Sequence, residues 1–82
     1  MSLGRVEGDE LTFGQRAVGL TFNPSGDARV TELKESAAAF IDACNALREG
    51  AVDGDVKRMY SVAITEAQTA QMWAVKAATW RG

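Results

Sequence analysis

The sequence predicts an all-α fold: an antiparallel helical hairpin with an irregular N-terminal segment or short helix, assembling into a homo-oligomer. Three observations predict it. Residues 28–49 and 56–80 both repeat apolar residues at helical spacing. Five of the eight glycines and the single proline fall within residues 1–27. The chain has 82 residues, no histidine and one cysteine, so neither an internal disulfide nor a zinc site of the usual nitrogen and sulfur ligands can staple it. A lone domain of this size is marginal, which makes other copies of the chain the natural source of stability.

The whole chain, 1–82, reads as one hairpin domain in three parts. Residues 1–27 are irregular, with one helical turn around Glu10–Arg16. In the first helix, 28–49, Val30, Leu33, Ala37, Phe40, Cys44 and Leu47 recur at alternating spacings of 3 and 4. That pattern is an a/d seam, widened by Ile41. Asp27 is the preferred cap, since Gly26 suits a first turn poorly, and Gly50 stands where a C-terminal glycine belongs. A short connection, 50–55, makes the two helices antiparallel neighbours, with Asp55 as cap of the second.

The second helix, 56–80, carries two apolar sets. Tyr60, Ala63, Ala67, Ala70, Ala74 and Ala77 form an alanine-rich stripe. Met59, Val62, Ile64, Met72, Trp73, Val75 and Trp80 lie off it. A helix apolar over so much of its circumference is normally covered on more than one side, and a two-helix hairpin cannot supply that cover. A polar row, Thr65, Gln68, Thr69 and Lys76, runs through it. These groups either bond one another at an interface, face water, or line a polar ligand pocket built from several copies.

Composition narrows the chemistry. Nine basic and eleven acidic residues give a net charge of −2 without a basic cluster, which argues against a duplex nucleic-acid partner. No stretch approaches the roughly 18 apolar residues of a membrane span. The opening Met1–Arg5 has no apolar signal-peptide core, and Ser2 stands where myristoylation needs glycine, so a soluble protein of a reducing compartment is expected. Without histidine the commonest general base is missing. Glu66 is the one carboxylate well inside the second helix, and a solvated charge explains it better than a base. Cys44 and the Met72–Trp73 pair read as packing residues. No catalytic residue, metal site or cofactor is expected.

The segment 13–27 stands apart. Its glycines let a backbone approach a ligand closely, Arg16 offers a guanidinium for phosphate, Phe22 a stacking surface, and Lys34 follows a turn into the helix. Equally, Phe22 and Val18 can staple this loop to the hairpin. It is not a P-loop, because no Gly-Lys-Ser or Gly-Lys-Thr ends it.

Two long stretches carry a resemblance. They are Gly14-Gln15-Arg16-Ala17-Val18-Gly19-Leu20-Thr21-Phe22-Asn23-Pro24-Ser25-Gly26-Asp27, followed by Val30 and Lys34, and Ala63-Ile64-Thr65-Glu66-Ala67-Gln68-Thr69-Ala70-Gln71-Met72-Trp73-Ala74-Val75-Lys76-Ala77. Together they resemble a phage-encoded helical hairpin domain, found in small anti-CBASS proteins and at the C-terminal side of some Thoeris anti-defence proteins. The resemblance covers residues 13–80. It implies a homohexameric sponge in the cytoplasm of an infected bacterium. Such a sponge binds cyclic dinucleotides such as 3′,3′-cGMP-AMP, and in some members cyclic trinucleotides, without cleaving them. The chain is too short for the extra domain of the Thoeris-directed relatives and looks like the short anti-CBASS kind.

Carried over residue by residue, the resemblance implies Lys34 as a phosphate contact. It implies a base-stacking aromatic at Gly19 by gap-free placement, or at Phe22 as the nearest aromatic. The trinucleotide arginine of relatives falls near Ile64, with Arg58 before it and Lys76 after, so dinucleotide binding is implied more directly. The candidate ligand residues are therefore Arg16, Gly19, Phe22, Asn23, Lys34, Thr65, Gln68 and Thr69. The alternative function is a structural hairpin oligomer of a phage, with no small ligand.

Overall fold

Two aspartates start the long helices. Asp27 and Asp53 each stand in an extended conformation and accept a backbone N–H two residues on, from Arg29 and Asp55 respectively. The computed structural model describes residues 10–82, which form three helices: α1 (Phe13–Ala17), α2 (Ala28–Gly50) and α3 (Gly54–Ala78). The irregular reading of residues 1–9 lies outside the described residues. The helical turn expected around Glu10–Arg16 is α1, started by Thr12 and Gln15 in a reciprocal capping box.

The connection is tighter than the sequence suggests. It spans residues 51–53 rather than 50–55, because Asp53, not Asp55, caps α3 and leaves Asp55 in the first turn. Gly50 ends α2 as its last helical residue instead of following it in a left-handed turn. Two contacts fix the antiparallel sense. Near the connection, Arg48 Nη1 donates to Ser61 Oγ at 2.9 Å. At the far end, Arg29 Nη2 donates to the Ala78 carbonyl at 3.0 Å.

The buried face of α2 differs from the expected seam. Val30, Lys34, Ala38, Ile41 and Cys44 are buried, while Phe40 and Leu47 stand more than half exposed. The cause is α1, which lies on the flank of α2 opposite the expected seam. Val18, at the end of α1, joins Ala38, Ile41, Cys44 and Ile64 of α3 in the core. The stripe therefore rotates to lie between α1 and α3, leaving Phe40 and Leu47, two of the six a/d residues, on the surface. Cys44 is a core residue as expected.

Docking of α1 depends on a glycine. A Cβ on Gly14 would run into the Ala38 carbonyl oxygen and the Asp42 carboxylate. Without it, the Gly14 N–H donates to Asp42 Oδ1 at 2.7 Å, so α2 satisfies one of the free amides of the α1 start.

On α3, Ile64 is buried and Tyr60, Ala63 and Ala67 pack against the core. Met59, Val62, Met72, Trp73 and Trp80 are exposed in the single chain, so the Met72–Trp73 pair does not pack within it. The radius of gyration is 14.4 Å, against about 12 Å for a compact domain of this length, and the shortest dimension is 12 Å. That thickness is about one helix diameter. A single layer of helices leaves both of its faces uncovered.

Two outcomes follow from these contacts. Asp42→Ala leaves the Gly14 amide without its charged acceptor and should lower stability by about 2 kcal/mol in urea titration, with α1 amides losing exchange protection first. The Asp27 carboxyl is held at about 2, first by the Arg29 guanidinium and then by the Arg29 N–H. A depressed folded pKa means that its support of α2 is complete above the ordinary value of 3.8 and is lost as pH falls through about 2. Protection of the first turn of α2, taken relative to the intrinsic exchange rate at each pH and followed from pH 5 downward, should fall in that window.

Candidate functional site

The loop between α1 and α2 is built around one side chain. Lys34 is only 6 % exposed, and its ammonium donates to the Gly19 carbonyl at 2.9 Å and to the Phe22 carbonyl. A buried charge needs such partners. Gly19 turns the chain toward the lysine with φ of 63°, a conformation that favours glycine. A side chain at position 19 would begin 3.9 Å from the Phe22 Cβ, so positions 19 and 22 serve the same space. The Phe22 ring is 71 % exposed and its centroid lies 5.5 Å from Lys34 Nζ.

The rest of the loop closes on itself. Asn23 Nδ2 donates to the Asp27 carbonyl and to Thr31 Oγ1, and Asn23 Oδ1 accepts from Ser25 Oγ. These bonds hold the loop as a lip over α2 and α3. Under the lip lies a cleft of about 430 Å³, within the range of roughly 300–1,000 Å³ typical of small-molecule sites. Its walls are loop residues 22–25, Val30 and Lys34 from α2, and Gln71, Met72 and Val75 from α3 with its cap Thr79.

Three sequence candidates, Phe22, Asn23 and Lys34, thus line one cleft, with Gly19 directly behind it. The others do not reach it. Arg16 is exposed on α1 and donates to the Leu11 carbonyl at 2.7 Å. Thr65, Gln68 and Thr69 lie nearer the start of α3 and are not part of the cleft wall. Thr69 Oγ1 turns back to the Thr65 carbonyl at 3.3 Å. The expected pair of stapling residues also divides: Val18 is buried in the core and Phe22 is not. Lys76, grouped with the polar row, sits between Trp73 and Trp80, 5.1 and 5.6 Å from their ring centroids.

Sequence reasoning passed over the α3 wall. Gln71, Val75 and Thr79 recur every four residues, and Gln71 follows the buried Ile64 by seven, which is two turns on the same face. The signal is present, but the sequence reading sets Ile64 and Val75 together among the apolar residues off the alanine stripe and draws no polar partner from their face. Among the described residues, no group of three or more histidine, cysteine, aspartate or glutamate side chains is placed to hold a metal ion. No helix among them is long and apolar enough to cross a membrane.

Fold and cleft together define a small helical hairpin domain whose leading loop is tied down by a buried lysine. The chain belongs to the Acb2/Tad1 hairpin domain family, whose model matches residues 15–79. Membership implies, in general terms, an anti-defence sponge role. No curated protein and no solved structure matches the chain.

Lys34 has a structural duty that any binding duty must share. Lys34→Met keeps the apolar stem and removes both loop bonds, and should cost about 2 kcal/mol. Amide exchange over residues 18–23 should quicken while α3 stays protected.

Proposed function

We propose that the protein is a homohexameric sponge for cyclic oligonucleotide immune signals. It binds cyclic dinucleotides such as 3′,3′-cGMP-AMP, and cyclic trinucleotides secondarily, in the cytoplasm of an infected bacterium. By sequestering the signal uncleaved, it keeps CBASS effectors inactive. One observation carries the reading: the family match spans the cleft in which an exposed aromatic stands beside a buried ammonium. A stacking surface next to a cation suits a base and its phosphate. With two loop carbonyls engaged, the ammonium retains a third N–H for a phosphate oxygen.

Sequestration without cleavage accords with the composition. Phosphodiester hydrolysis draws on an activated water and on charge stabilisation at phosphorus, and the chain has no histidine to act as base. Its arginines and lysines can hold a phosphodiester but are poor bases near neutral pH. The hexamer is supported by the apolar residues left open on both long helices, Phe40 and Leu47 on α2 and Met59, Val62, Met72, Trp73 and Trp80 on α3.

Calorimetry with 3′,3′-cGMP-AMP should give saturable binding at a fixed ratio of ligand to subunit, and chromatography of denatured complex should return the nucleotide intact. Linear product accumulating over many turnovers would overturn the reading. Phe22→Ala removes an exposed ring and should weaken binding by roughly 1–3 kcal/mol without unfolding the chain. Light scattering behind gel filtration should give six subunits. An assembled protein that binds none of the cyclic nucleotides would instead be a structural hairpin oligomer.

A further inference from the structure

The hydrogen bonds of the cleft leave one side chain unaccounted for. Lys34 gives two of its three donors to loop carbonyls, Asn23 and Ser25 bond each other and their neighbours, and Thr79 Oγ1 donates to the Val75 carbonyl at 2.9 Å. Gln71 has no such bond, and its Oε1 is buried without a partner. A buried carbonyl oxygen left in this state costs free energy, so an unpaired one on a residue that lines a ligand-sized cleft marks a group that gains a donor when its amide turns to a ligand. Gln71 stands on the α3 wall, across the cleft from the loop that carries Phe22.

We propose that Gln71 reads the base held in this cleft and selects adenine. The inference rests on the cyclic-nucleotide reading above and adds its specificity element. A carboxamide offers an acceptor and a donor side by side. Adenine presents the complement on both of its polar edges, the N6–H donor beside N7 on one and beside N1 on the other. Gln71 Oε1 accepts from N6 and Nε2 donates to the ring nitrogen, whichever edge faces α3. Guanine presents two acceptors, O6 and N7, on its Hoogsteen edge, where Gln71 Oε1 would stay unpaired. Guanine therefore matches the amide only when its Watson–Crick edge is turned to it.

The test compares 3′,3′-cyclic di-AMP, 3′,3′-cGMP-AMP and 3′,3′-cyclic di-GMP by calorimetry on the full chain, wild type and two variants. Wild type should favour the adenine ligands over cyclic di-GMP by about tenfold or more, the scale of one bidentate base contact. Gln71→Leu fills the same wall without polar atoms and should erase that ratio while still binding. Gln71→Glu offers acceptors alone, sets one of them against the adenine ring nitrogen on either edge, and should likewise remove the adenine advantage. Unchanged ratios in both variants would overturn the inference and leave the sponge reading intact, as would a change of oligomeric state with the ratio preserved, which would place Gln71 in an interface. Wild type binding none of the three ligands would overturn both.

Discussion

The buried ammonium of Lys34 is the contact on which the functional end of this molecule depends. Its stem lies in the stripe that α2 turns toward its neighbours, and its head collects the carbonyls of Gly19 and Phe22. Those two carbonyls belong to the tight turn that leads out of α1. One side chain therefore sets the height of the loop over α2, the position of Phe22 and the depth of the cleft. The charge is tolerated at this depth because the loop supplies carbonyl oxygens and because Phe22 offers its ring face.

A second constraint is thickness. One layer of helices can bury a stripe on each helix but not a circumference. Residues such as Ile41 and Ile64 find each other within the chain, while Phe40, Trp73 and Trp80 are left open. The central position of α2 sharpens this division. With α1 on one flank and α3 on the other, its buried stripe is drawn between them, and Phe40 and Leu47 are left on its outer face. The same geometry explains why a short α1 matters out of proportion to its length. Gly14 lets it sit against the Ala38 carbonyl, and Asp42 anchors its amide end.

Legibility in the sequence followed the range of the interactions involved. Helix spans, the Asp27 cap and the antiparallel hairpin were readable because they rest on local patterns of a few residues. Asp53 was missed in favour of Asp55 because both aspartates fit the capping preference and the choice turns on where the chain leaves α2. In the cleft, Phe22 and Asn23 were readable because glycine and proline punctuate the loop that holds them, and Lys34 because it follows that loop on α2. Arg16, Thr65, Gln68 and Thr69 lie away from this cleft on the single chain, since residue type carries no direction, and the pocket expected of the α3 row is one shared between copies.

The sequence by itself determined that two amphipathic helices form, that they pair head to tail, and that a glycine-rich loop precedes them, since helical period, capping and short connections act within neighbouring residues. It also determined the family, through two long stretches of particular wording. The tertiary structure alone decided which face of α2 is buried, that Lys34 ties down the loop with two of its donors, and that the Gln71 amide oxygen is buried without a partner. A helical period places residues on faces but does not say which neighbour each face meets. That choice is made by contacts across the chain, here the docking of α1 through Gly14 and Asp42, more than twenty residues apart.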